Sequence, residues 1–180
     1  MRVRPGSRPI PPMLIDALVP DQNFLNIHVG EARAPADKVW ASAARLVADL
    51  VPRAGGRSLR ISDVPLAAAA IMRGDLGRRA KTVWSFREGE RIGSDHAWVR
   101  IERIDEGREI VLTGAHRYAS FAANLFLEPI DERRTRLWNV TRARFSTTLP
   151  GRVYRRGVDV FHDLYIRRTL RIIMEGAEAG

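Results

Sequence analysis

The order of sequence patterns predicts an α+β domain in which helices are segregated onto one face of an antiparallel sheet. Three observations carry this. One early strand pattern is followed by helical patterns, a run of hairpin-linked strand patterns fills the middle, and a long helical pattern closes the chain. The length of 180 residues and the 45% hydrophobic content are those of one globular domain, with a core that needs no staple. Cysteine is absent, which excludes disulfides, thiolate metal sites and a cysteine nucleophile, and fits a reducing compartment.

Residues 1–12 hold four prolines and three arginines and read as the start of a flexible leader, expected over residues 1–22. Met13 to Val19 is expected as a short helical turn ending at Pro20; it contains Asp16 and is too short for a secretory signal. No apolar run approaches the roughly 18–20 residues of a membrane span, and the expected location is cytoplasmic. The domain proper is expected over residues 23–176.

Phe24 to Ala32 alternates with period two, Leu25, Ile27 and Val29 on one face and Phe24, Asn26 and His28 on the other, and predicts a strand. Pro35 and Asp37 suit a helix entrance. Val39, Trp40, Ala43, Leu46, Val47 and Leu50 form the stripe of that helix, with Pro52 and Gly55-Gly56 expected to stop it. Ser58–Ser62 reads as extended and Pro65–Met72 as a second short helix, with a loop at Gly74–Gly77.

Strands are expected at Thr82–Phe86, Ala97–Ile104, Glu109–Ala115, Ser120–Glu128 and Thr135–Phe145. Turns fall at Glu88–Asp95, Asp105-Glu106-Gly107 and Pro129–Arg133. The closing helix runs from Leu149 to about Met174, its apolar face including Tyr154, Phe161, Leu164 and Tyr165, and Gly176–Gly180 reads as a tail. A long helix lying across a curved sheet leaves a gap of the kind in which ligand pockets form.

The strand order, with Ala34-Pro35-Ala36-Asp37-Lys38-Val39-Trp40 after the first strand, resembles the START-like (SRPBCC) superfamily of polyketide cyclase/dehydrase and lipid-transport proteins. Gly114-x-His116-Arg117-Tyr118-x-Ser120-Phe121, Leu125-x-Leu127-Glu128-Pro129 and Thr135-Arg136-Leu137 are similar to a stretch of bacterial members. The last helix, from Gly151-Arg152-Val153-Tyr154-Arg155 to Leu170, adds to the likeness, which covers residues 23 to 175. The resemblance implies a helix-grip fold, a curved antiparallel sheet wrapped around the C-terminal helix with two shorter helices after the first strand. It also implies a cavity for a hydrophobic or amphipathic small molecule. It fixes no activity.

The expected ligand-facing residues are Trp98, His116, Phe121, Leu125, Asn139, Thr141, Phe161 and His162. His116 and Tyr118 share a parity and are the candidate acid–base pair of an alternative, cyclase/dehydrase-type enzyme; local packing is the plainer reading. On the last strand Leu137, Asn139, Thr141, Ala143 and Phe145 are expected inward. The arginines at 136, 142 and 144 mark the other face as solvent-side, leaving Trp138 as an exposed aromatic suited to a homodimer contact. Asn139 and Thr141 either bond to each other or touch a ligand. Phe121, Ala123, Leu125 and Leu127 form another inward face, where small Ala123 and Ala143 leave room. Trp98 is a pocket wall or plain core. His162 is read either as a surface ion pair with Asp159 three residues earlier, or as a ligand contact at the helix–sheet seam.

His28, His96, His116 and His162 lack metal-ligand spacing, so neither metal nor cofactor is expected. No nucleophile elbow, phosphate loop or dinucleotide motif is present. The net charge of +9 raises a further alternative, a basic module for nucleic acid or an anionic membrane. Yet 28 of the 30 basic residues are Arg, a bias that fits GC-rich coding. The clusters Arg133-Arg134-x-Arg136, Arg152–Arg156 and Arg167-Arg168-x-x-Arg171 are expected as solvated faces, and nucleic acid is not the expected partner.

Overall fold

The computed structural model describes residues 12–55, 86–93 and 98–180. Its elements are a 3-10 turn (Leu14–Ala17), β1 (Phe24–Ala32), α1 (Ala36–Gly55), β2 (Arg91–Gly93), β3 (Trp98–Asp105), β4 (Glu109–His116), β5 (Ala119–Asp131), β6 (Arg134–Phe145) and α2 (Leu149–Ala179). The strands form one antiparallel sheet in the order β1-β6-β5-β4-β3-β2. The first strand therefore pairs with the last, and the hairpins β3–β4–β5–β6 fill the rest.

β1 occupies the residues expected for it. α1 continues through Pro52 and ends at Gly55, at the expected Gly55-Gly56 stop. Most other strand ends shift by at most one residue, β2 (Arg91–Gly93) lies inside the stretch expected as the Glu88–Asp95 turn, and two ends move further. β5 runs past Pro129 to Asp131, absorbing that proline at an irregularity in its pairing with β6. Proline is tolerated there because it forfeits only one ladder bond. α2 runs through Gly176 to Ala179, so the expected tail is helix; Ala177 is 3% exposed and packs in the core, which holds the last turn. The expected strand at Thr82–Phe86 (apart from Phe86), the extended piece at Ser58–Ser62, the second helix at Pro65–Met72, the Gly74–Gly77 loop and His96 lie outside the described residues.

The β3–β4 turn closes with Arg108 N–H donating to Asp105 O at 2.9 Å, and Gly107 supplies its positive φ of +77°. Thr148 caps α2, its hydroxyl accepting from Gly151 N–H, with Pro150 in the first turn.

α1 and α2 pack on one face of the sheet. Val39, Ala43 and Val47 of α1 meet Ile166, Leu170, Ile173 and Ala177 of α2 over Ile110, Leu125, Leu127 and Leu137. This is the inner face. The outer face is covered by the N-terminal turn: Met13 and Ile15 pack on Ala122, Phe126, Trp138 and Val140. Residues 13–17 of the expected leader are thus a docked element. Trp138 is 4% exposed, with its indole N–H on the Glu128 carboxylate at 3.0 Å. The exposed dimer contact expected at Trp138 is therefore corrected: the 3-10 turn has an apolar side of its own, and it buries the middle of a face whose ends are arginine.

Candidate functional site

The register lays the inner face out in rows. One row runs Asn26 (β1), Thr141 (β6), Ala123 (β5), Leu112 (β4) and Ile101 (β3). Its neighbour runs His28, Asn139, Leu125 and Ile110. Both change from polar on β1 and β6 to aliphatic on β5 and β4. Since adjacent strands lie about 4.8 Å apart, each row is polar at one end and apolar about 10 Å away.

α2 crosses the polar end. Its His162 ring stands edge-on to Phe24 at 6.0 Å, and its Asp163 carboxylate lies 3.5 Å from His28 Nε2. His162 is therefore turned toward the sheet, while Asp163 and Asp159 of its own helix still act on its charge. Burial pushes its pKa down to about 4; the nearby His28 adds to this, while Asp163 and Asp159 oppose it. The folded protein holds this imidazole neutral at ordinary pH.

Asn139 and Thr141, expected inward, are both 4% exposed. Thr141 hydroxyl donates to Asn139 Oδ1 at 3.5 Å, and Asn139 Nδ2 donates to the Asn124 carbonyl at 2.6 Å. Asn26 Oδ1 and His162 Nδ1, also buried, have no hydrogen-bond partner among the described residues.

At the apolar end the cover is uneven, with Ile101 and Ile110 buried. On β4 the outward Val111 is 0% exposed while the inward Leu112 is only partly buried. On β5 the outward Ala122 is 0% exposed while the inward Ala123 and Phe121 are partly buried. Leu125, further along, is 6% exposed and belongs to the core under α1. Phe161 lies on α2, its side chain outside the described set.

Trp98 is on the opposite face. It pairs with Ala115 and shares its side with Arg100, Glu102 and Thr113. Guanidinium groups of Arg91 and Arg100 sit 5.0 and 5.8 Å from its ring, and it lines an outer cavity of about 390 Å³ with Leu18, Pro20 and Arg144. The strand's parity decides this: Trp98 and Arg100 are opposite in phase to inward Ile101, and the β3 bulge between Ile101 and Arg103 puts Ile104 on the inner face as well.

His116 and Tyr118 meet at the β4–β5 hairpin. Tyr118 N–H donates to His116 Nδ1 at 3.2 Å. Both rings pack on Tyr154 of α2, at 4.8 and 5.8 Å, and burial raises the Tyr154 pKa to about 12. This aromatic group closes one end of the helix–sheet seam.

The arginines of β6 are ion-paired: Arg134 with Asp131 at 2.7 Å and Arg136 with Glu128 at 2.9 Å. Arg152, Arg155 and Arg156 border a surface groove of about 570 Å³ with exposed Leu149 and Val153. Among the described residues no group of His, Asp and Glu is arranged to hold a metal, and no helix is long and apolar enough to cross a membrane.

The residues that sequence reasoning missed are Asn26, His28, Tyr154 and Asp163. For the first two a signal existed: they share the face of Phe24, but the opposite face, Leu25, Ile27 and Val29, is the more apolar and resembles a core.

No protein-family model matches the chain, and no curated protein matches its sequence. Solved structures do match in fold. The Zhui aromatase/cyclase from Streptomyces sp. R1128 is 16% identical, with 86% of this chain and 93% of that chain covered at a TM-score of 0.55. TTHA0849 from Thermus thermophilus is 15% identical, covering 87% and 98% at 0.51. Norcoclaurine synthase from Thalictrum flavum, in complex with dopamine and hydroxybenzaldehyde, is 9% identical, covering 87% and 84% at 0.51. At such identities the likeness is one of architecture: the chain has a helix-grip fold, a curved antiparallel sheet with a long C-terminal helix across it.

Proposed function

We propose that this protein binds a hydrophobic or amphipathic small molecule between α2 and the inner face of the sheet. The observation that carries the reading is a local inversion of burial on β4 and β5, beside the buried Ile101, Ile110 and Leu125. Leu112, Phe121 and Ala123 face the helices yet are less covered than Val111 and Ala122, which face away. In a domain with a solid core the helix-facing side chains are the better buried ones. An apolar surface left partly open on the concave side suits a small guest. A fold neighbour, norcoclaurine synthase, is in complex with dopamine and hydroxybenzaldehyde, which supports small-molecule binding as a likeness of fold.

Incubation with a cell lipid extract followed by native mass spectrometry tests this. A retained adduct is expected. Ala123→Phe, which places a ring over β5, is expected to weaken it at least about tenfold while leaving the circular dichroism spectrum unchanged. Absence of any adduct, or one indifferent to Ala123→Phe, overturns the reading.

A second reading, acid–base chemistry at His116, has one observation in its favour. The Tyr118 N–H occupies Nδ1, so neutral His116 carries its proton on Nε2 in a fixed orientation. It requires Nε2 within about 3.2 Å of a bound molecule, which a ligand-soaked crystal structure would reveal.

A further inference from the structure

At the polar end of the seam, Asn26 Oδ1 and His162 Nδ1 are buried with no hydrogen-bond partner among the described residues. His162 reaches Phe24 and is close enough to His28 to feel its charge; those residues flank Asn26 on the same face of β1. Asn26 and His162 thus both adjoin Phe24 and His28. Asn26 is 4% exposed, so bulk water does not satisfy it. A buried acceptor left bare is costly, and a bound hydroxyl removes that cost.

We propose that this pair is the polar subsite of the ligand cavity and that it selects an uncharged, hydroxyl-bearing guest. The guest's hydroxyl donates to Asn26 Oδ1 and accepts from His162 Nδ1–H, while its apolar body lies over Ala123, next to Leu112. The inference rests on the ligand-binding reading above and narrows it. A carboxylate fits poorly. Asn26 Oδ1 offers no proton, and the Asp163 carboxylate lies 3.5 Å from His28 beside the site. No Lys or Arg occupies the rows Asn26–Thr141–Ala123–Leu112 and His28–Asn139–Leu125–Ile110. A guest reaching from β1 to β5 spans about 10 Å, the size of a two-ring alcohol.

Three probes of one shape separate the possibilities: 2-naphthol, 2-naphthoate and naphthalene, titrated into the intact protein at pH 7. The expected order has 2-naphthol binding about tenfold tighter than either of the others. Asn26→Leu is expected to erase that advantage while leaving naphthalene affinity within about threefold. In wild-type protein, nitrogen NMR is expected to find His162 protonated at Nδ1, with that resonance moving on saturation with 2-naphthol and staying still with naphthalene. Equal affinities for naphthol and naphthalene, or an unmoved Nδ1 resonance, overturn the inference and mean that an ordered water bridges the pair; naphthalene binding would still support the broader reading. If none of the three binds, the inference falls, and the lipid-extract adduct decides whether the broader reading falls with it.

Discussion

Glu109 on β4 accepts the backbone N–H of Leu14 at 3.0 Å, joining residues 95 positions apart. The other carboxylate oxygen accepts from Asn124 Nδ2 at 2.6 Å, and Glu109 is 1% exposed. A buried carboxylate thus holds the N-terminal turn onto the outer face. Glu109→Ala strands the Asn124 amide and the Leu14 N–H together. It is expected to cost about 3 kcal/mol in urea denaturation, and an unchanged midpoint would refute the latch.

The same turn is held by packing. Ile15 is 0% exposed against Trp138, Phe126 and Val140. Ile15→Ala is expected to lower stability by about 3 kcal/mol and to speed hydrogen exchange at the Leu14 amide. A loss below about 0.5 kcal/mol would mean that the turn is surface decoration.

Two glycines on the inner face should respond differently to alanine. A Cβ at Gly114 would lie 2.8 Å from the Trp98 carbonyl oxygen and would collide with the Phe121 ring. The carbonyl belongs to the sheet and cannot swing aside. At Gly30 the added carbon meets only Met174, whose sulfur is 2.6 Å away at the end of a flexible chain. Gly114→Ala is expected to cost about 2 kcal/mol and Gly30→Ala under about 1, compared by thermal unfolding. The reverse order would contradict the packing.

His162 links stability to pH. Its folded pKa is about 4 against an ordinary 6.5, so between those values the unfolded chain takes up a proton that the folded protein refuses. The stability it contributes is full above pH 6.5, declines as pH falls, and is lost near pH 4. The whole effect is about 3 kcal/mol. His162→Phe should flatten that part of the profile, read as the difference between variant and wild type in urea denaturation at pH 7 and pH 4.5. Parallel profiles would mean that the imidazole is solvated.

Much of this architecture is legible in the residues. β1 alternates strictly, so its limits and its two faces follow from period two alone. The inward set of β6, from Leu137 to Phe145, follows in the same way, and so does the long α2. Which apolar face is covered by which layer does not follow. Trp138 and Val140 sit among arginines and look solvent-facing, because the turn that buries them comes from more than a hundred residues earlier. His162 is undetermined for a related reason. A histidine beside aspartates on a helix reads as surface until the neighbouring strand is known to present Phe24 and His28. Tyr154 belongs to the same class: its partners, His116 and Tyr118, come from a hairpin that no local pattern connects to the helix.

The pairing of β1 with β6 bears on how the chain is made. As the polypeptide leaves the ribosome, Phe24 to Ala32 emerges well before its partner strand, Arg134 to Phe145. Until then one edge of β1 has no hydrogen-bonding neighbour from this sheet, and its hydrophobic side chains wait without their final cover. Contacts of such long sequence separation form slowly, and unpaired edges invite aggregation. Translation that stalls before Arg134 would therefore release a nascent chain dependent on chaperones, whereas one that proceeds past Phe145 completes the sheet in a single late step.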